Sequence, residues 1–117
     1  MNVRLSSEGV RVRISLQEAH RLLELATLTQ ELPLPGELLT MSLFVEEVLG
    51  DKLELTKTGG QMRLGIHRQS LEALVESPAN KTSSLLAHYL SQPGRVAEVV
   101  LEIDLFSLKG KDERRKG

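Results

Sequence analysis

The sequence predicts an α+β domain: a mainly antiparallel five- to six-stranded sheet with a long N-terminal helix and two short helices packed on one face. Three observations predict it. Apolar and polar residues alternate in several runs with the period of two of half-buried strands. A capping box opens a stretch with apolar positions at helical spacing. Turn residues punctuate the chain between these runs.

Taken in order, Val3 and Leu5, then Val10, Val12 and Ile14, alternate with polar neighbours on either side of Ser6-Ser7-Glu8-Gly9. For both strands to turn their apolar residues to one face, an odd position must oppose an even one. A tight hairpin therefore pairs Leu5 with Val10 and Val3 with Val12, and sets Arg4 against Arg11. Ser15-Leu16-Gln17-Glu18 has the capping-box spacing, and Leu16, Ala19, Leu22, Leu23 and Ala26 form a stripe that predicts a helix from 16 to about 30. Leu28 lies off that stripe. Leu32-Pro33-Leu34-Pro35-Gly36 reads as a loop.

Leu39, Met41, Leu43 and Val45 predict a third strand. Around Gly59-Gly60 a second hairpin pairs Leu55 with Leu64 and Leu53 with Ile66. Two short helices follow, one opened by Ser70 and stopped at Ser77-Pro78, the other over Thr82 to Ser91 and closed by Gln92-Pro93-Gly94. Val96 to Phe106 is the last strand, with Val99, Leu101, Ile103 and Leu105 on its apolar face. No repeat at a solenoid period and no low-complexity tract is present.

A chain of 117 residues suits one domain, assigned to 1–108, ahead of a charged, flexible tail at 109–117. Hydrophobic residues at 40% and charged residues at 26% belong to a folded domain rather than a disordered one. With a formal charge of -1 the whole molecule has no general attraction for nucleic acid or anionic lipid. The absence of cysteine excludes disulfides, thiolate metal sites and cysteine nucleophiles. No stretch approaches a membrane span or a signal peptide, and the expected location is cytoplasmic.

No catalytic residue, cofactor or metal is expected. His20, His67 and His88 lack zinc-site spacing, Gly59-Gly60 is a turn rather than a phosphate loop, and no serine sits in a nucleophile elbow. On the polar face of a single sheet Arg4, Arg11, Arg13, Lys52, Arg63 and His67 would meet Glu46, Glu54, Glu98, Glu102 and Asp104. Arg4 directly opposite Arg11 is unfavourable unless something negative neutralises it. Acids of the last strand can do this if it lies beside the first hairpin; the alternative is an anion- or nucleic-acid-binding site of Arg4, Arg11, Arg13 and Arg63. Sparse aromatics argue against base stacking. Val100, Phe106 and Phe44 fall on the same polar face and form a candidate interface. The expected function is a non-enzymatic protein-interaction module that self-associates through its sheet as a homodimer. A different, unidentified protein partner is the other expectation, and nucleic acid and membrane are not expected partners.

Val3-Arg4-Leu5, Val10-Arg11-Val12-Arg13-Ile14 and the capped helix after them, with Leu101-Glu102-Ile103-Asp104-Leu105-Phe106-Ser107-Leu108, resemble the opening and closing segments of a small uncharacterised bacterial protein family. That family carries a cysteine near its end and this chain has none. The resemblance implies a similar fold and brings no activity, cofactor or site residue with it.

Overall fold

The computed structural model describes residues 1–76 and 84–104, and most of them are strand. In chain order the elements are β1 (Asn2–Ser6), β2 (Gly9–Ser15), α1 (Leu16–Leu25), β3 (Thr27–Leu34), β4 (Glu37–Glu46), β5 (Leu53–Thr58), β6 (Gln61–His67), α2 (Arg68–Glu76), β7 (Ser84–Gln92) and β8 (Arg95–Asp104). They form two four-stranded sheets, the first in the order β1-β2-β8-β7 and the second in the order β3-β4-β6-β5. The central pairs, β2 with β8 and β4 with β6, are parallel, and the hairpin pairs are antiparallel. Both sheets are therefore mixed.

This corrects the expected single antiparallel sheet. Helices of 10 and 9 residues are too short to cover a broad sheet. Each sheet instead turns its apolar face to the other. Val12 and Ile14 of β2, Val99 and Leu101 of β8, Met41 and Leu43 of β4, and Leu64 and Ile66 of β6 are all buried in one core. Ala19 and Leu22 of α1 and Leu71 of α2 complete that core, and the two helices pack on each other. Burying a side chain of this size contributes roughly 1.5–3 kcal/mol before conformational entropy is counted.

The long N-terminal helix is also corrected, because α1 stops at Leu25. Ala26 takes the left-handed conformation at φ 64° and its N–H donates to Leu22 O at 2.8 Å. Beyond it Thr27 and Thr29 favour extended backbone, and Leu28 and Leu32 turn inward from β3. Leu28 was off the helical stripe because it belongs to this strand. Pro33 and Leu34 lie in β3 rather than in a loop, which an edge strand tolerates since proline there forfeits no inner ladder bond. The helix expected up to Ser91 is β7. Leu85 and Ala87 face the core and Leu86, His88 and Leu90 face outward, a period of two. The residues before Ser84 in that run lie outside the described residues, as do Leu105, Phe106 and 109–117.

Both predicted hairpin registers are present: Leu5 pairs with Val10 and Val3 with Val12, and Leu55 pairs with Leu64 and Leu53 with Ile66. The chain also contains a repeat that solenoid periods do not reveal. Each half runs strand, strand, helix, strand, strand. Shifting β2 by 52 residues and β4 by 58 turns the β2–β8 register into the β4–β6 register: Val12↔Leu101 becomes Leu64↔Leu43, and Arg13↔Glu102 becomes Gly65↔Phe44. A Pro-Gly turn closes the last hairpin of each half, with Gly36 at φ 72° and Gly94 at φ 78°, the sign a type II turn needs. Glu98 N–H donates to Glu8 O at 2.9 Å and Thr40 N–H to Gly60 O at 2.8 Å, one bond at equivalent places. Each half supplies its first hairpin to one sheet and its second to the other.

Gly9 sits where β2 and β8 first meet, at φ 146°, and a Cβ there would lie 1.9 Å from Glu98 O. Gly9→Ala should therefore lower unfolding stability by about 2–4 kcal/mol, the range of severe backbone conflicts. Urea denaturation measures this, and a loss below about 1 kcal/mol would contradict so close an approach.

Candidate functional site

The outer face of the first sheet is ordered in rows across its strands. One row runs Asn2, Arg13, Glu102, Ser84; the next runs Arg4, Arg11, Val100, Leu86; a third sets Glu98 beside His88 and a fourth Val96 beside Leu90. Parallel pairing places β8 beside the first hairpin, so its acids reach the arginines. Arg13 Nε donates to Glu102 Oε1 at 3.0 Å and Arg11 Nη1 to Glu102 Oε2 at 3.3 Å. One carboxylate thus holds two guanidinium groups. Arg4 stands opposite Arg11 and makes no ion pair among the described residues.

Arg63, the fourth arginine of the expected cluster, lies on β6 in the second sheet, away from the other three. Its guanidinium carbon is 4.2 Å from the centroid of the Phe44 ring, a cation–π contact. The structure brings Arg4, Arg11 and Arg13 together and leaves Arg63 with Phe44. The interface residues separate likewise: Val100 is on the first sheet, Phe44 on the second, and Phe106 lies outside the described residues.

Leu86, Leu90 and Val96 share the outer face with Val100, which is itself buried among its neighbours. Leu90 is 71% and Val96 62% exposed, so the β7–β8 half of the face carries an apolar strip open to solvent. Sequence reasoning missed Leu86 and Leu90 because Leu85, Leu86, Tyr89 and Leu90 also fit helical spacing. The alternation of Leu85, Ala87 and Tyr89 with Leu86, His88 and Leu90 was the signal that could have found them.

Beside the first sheet, a cleft of about 470 Å³ is lined by Asn2, Arg13, Ser15, Glu18, Arg21 and Asp104, among others. The predicted capping box stands at its edge: Glu18 N–H donates to Ser15 Oγ at 3.0 Å and Ser15 N–H to Glu18 Oε1 at 2.9 Å. The Met1 ammonium donates to Glu18 Oε2 at 2.7 Å. Burial, the largest influence, pushes the Glu18 carboxyl up, but the Met1 ammonium and the Ser15 hydrogen bonds together outweigh it and hold the carboxyl below its ordinary value.

Among the described residues no group of three or more histidine and carboxylate side chains is arranged to hold a metal. No described helix is long and apolar enough to cross a membrane. Comparison with family models, curated proteins and solved structures gives no match to this chain.

Glu102→Gln leaves three neighbouring arginines without the charge that holds two of them, and should cost about 1 kcal/mol at low salt and less in high salt. Denaturation at two ionic strengths checks it; a salt-independent loss would point to packing instead. Since the folded Glu18 carboxyl lies below its ordinary value of 4.5, its stabilisation is full above that pH and is lost as pH falls through the folded value. Glu18→Gln should therefore be less stable than the native chain at neutral pH by about 1 kcal/mol, with the gap narrowing in acid. Thermal melts between neutral pH and the carboxylate range would show a constant gap if the expectation is wrong.

Proposed function

We propose that this domain is a cytoplasmic, non-enzymatic protein-interaction module that self-associates as a homodimer through the outer face of its first sheet. The observation that carries this reading is the solvent-open strip of Leu86, Leu90 and Val96 around Val100. The strip is self-complementary. A two-fold axis along the strands, between β7 and β8, sets Val100 against the partner's Leu86 and Val96 against the partner's Leu90. The same operation faces Glu98 with the partner's His88, so the one polar row within the strip also finds a hydrogen-bonding match. Apolar burial drives such contacts, and this polar row favours one register over others.

The anion-binding alternative draws less support from the geometry. Arg11 and Arg13 already share Glu102, and Arg63 lies on the other sheet.

Light scattering on the full chain at rising concentration tests the proposal. A dimer is expected at high micromolar concentration, and Leu90→Asp should weaken it at least tenfold while leaving the far-UV spectrum unchanged, because Leu90 is exposed in the single chain. A native chain that stays monomeric, or a Leu90→Asp chain that dimerises as before, contradicts the proposal.

A further inference from the structure

The internal repeat makes each sheet a template for the other. In the first sheet Arg13 lies between Asn2 on β1 and Glu102 on β8, its guanidinium on the Glu102 carboxylate. The equivalent row of the second sheet reads Glu54, Gly65, Phe44. Where one sheet has an arginine, the other has a glycine, and where one has Asn2 the other has a carboxylate. Ser15 and Asp104 at the end of the first sheet correspond to His67 and Glu46 at the end of the second.

The outcome is a hollow of about 190 Å³ over Gly65, walled by Phe44, Glu46, Glu54, Thr56 and Arg63, with Leu49 of the β4–β5 connection at its rim. That connection is anchored: Arg68 Nε donates to Glu47 Oε1 at 2.6 Å and Arg68 Nη1 to Leu23 O at 3.3 Å. Among the described residues Glu46 and Glu54 make no ion pair. Arg63 supplies one positive charge against their two negative ones. It corresponds to Arg11, whereas Arg4 and Arg13 correspond to Thr56 and Gly65, so two of the three arginines of the first sheet have no cationic counterpart around the hollow, and Gly65 marks the one whose place is left empty of any side chain.

We propose that the hollow over Gly65 binds an arginine side chain of a partner polypeptide, whose guanidinium takes the place that Arg13 fills in the first sheet. The chemistry favours guanidinium over ammonium. A planar fork can pair with a carboxylate through two hydrogen bonds while its flat face or its methylenes lie on an aromatic ring. Glu46 and Glu54 offer the first, and the part of the Phe44 ring that Arg63 does not cover offers the second. The site is on the other sheet from the self-association strip and does not depend on it.

Gly65 also provides the decisive control. A Cβ there would lie 3.4 Å from Glu46 Cγ and 3.7 Å from Leu49 Cδ1, ordinary contact distances, so a side chain can root at this position. Gly65→Arg supplies the guanidinium from the chain itself.

The experiment is an amide chemical-shift titration of the full chain with three probes: the peptide Ac-Gly-Arg-Gly-NH2, its citrulline analogue and the small guanidinium compound agmatine. The arginine peptide should give saturable shifts at Glu46, Glu54 and Gly65 with millimolar affinity, and the isosteric uncharged citrulline peptide should give none. The peptide should bind at least as tightly as agmatine, and Glu54→Gln should weaken it at least threefold. Gly65→Arg should keep a dispersed spectrum and lose binding. Stronger binding of agmatine than of the peptide would overturn the polypeptide source in favour of a free guanidinium compound. Equal binding of the citrulline peptide, no saturable shift, or unchanged binding to Gly65→Arg would overturn the site itself. Should Gly65→Arg fail to fold, the Glu46→Gln/Glu54→Gln chain decides, since binding that survives loss of both carboxylates also overturns it.

Discussion

Parallel pairing of β2 with β8, and of β4 with β6, is the constraint on which the rest of this structure depends. Each of these pairs joins a hairpin from one half of the chain to a hairpin from the other. Neither half can complete a sheet alone, and neither sheet can bury its apolar face without the other. The β2–β8 contact closes a loop of nearly the whole described chain, Gly9 meeting Glu98 and Ser15 meeting Asp104. Such long-range pairing is entropically costly and slow to form. The local devices at its ends, a glycine without a Cβ at β2 and a capped helix start after it, reduce the number of ways the pairing can go wrong.

The near two-fold repeat shows how one backbone plan supports different surfaces. Both helices begin with a side-chain contact three residues apart at the same place: Ser15 with Glu18 in the first half, and His67 Nδ1 with Ser70 Oγ at 3.2 Å in the second. The inward positions remain apolar in both halves, since one shared core imposes one requirement on them. The outward positions have diverged. Arg11 and Arg63 are equivalent, yet one is neutralised by a carboxylate and the other lies on an aromatic ring. A solvent-facing sheet surface is constrained by little beyond charge balance, and it is there that the two sheets acquire separate chemistry.

The arginine arrangement illustrates what a pattern read along the chain can and cannot reach. The Arg4 and Arg11 opposition followed from hairpin parity, and with it came the conclusion that something negative must lie near. That Glu102 supplies it required β8 to lie beside β2 in parallel, at one particular register. Likewise, Phe44 and Val100 were both legible as apolar residues on polar faces. That these faces belong to different sheets was not, because assignment to a sheet is a property of strand order.

By itself the sequence determined what depends on neighbours a few residues away: the side-chain parity of the strands, both tight hairpins with their registers, the capping box at Ser15 and the start of α1. These follow from steric and hydrogen-bonding preferences that act locally. Only the tertiary structure decided where α1 ends, that 84–92 is a strand, that there are two mixed sheets rather than one, and that Gly65 faces a hollow where Arg13 fills its counterpart. The physical reason is common to all four. Leu86 and Leu90 have spacings that suit helix and strand alike, and Leu28 leaves the helical stripe without showing what replaces it; the choice is made by the strand that lies alongside, whose identity is set by burying two apolar sheet faces at once.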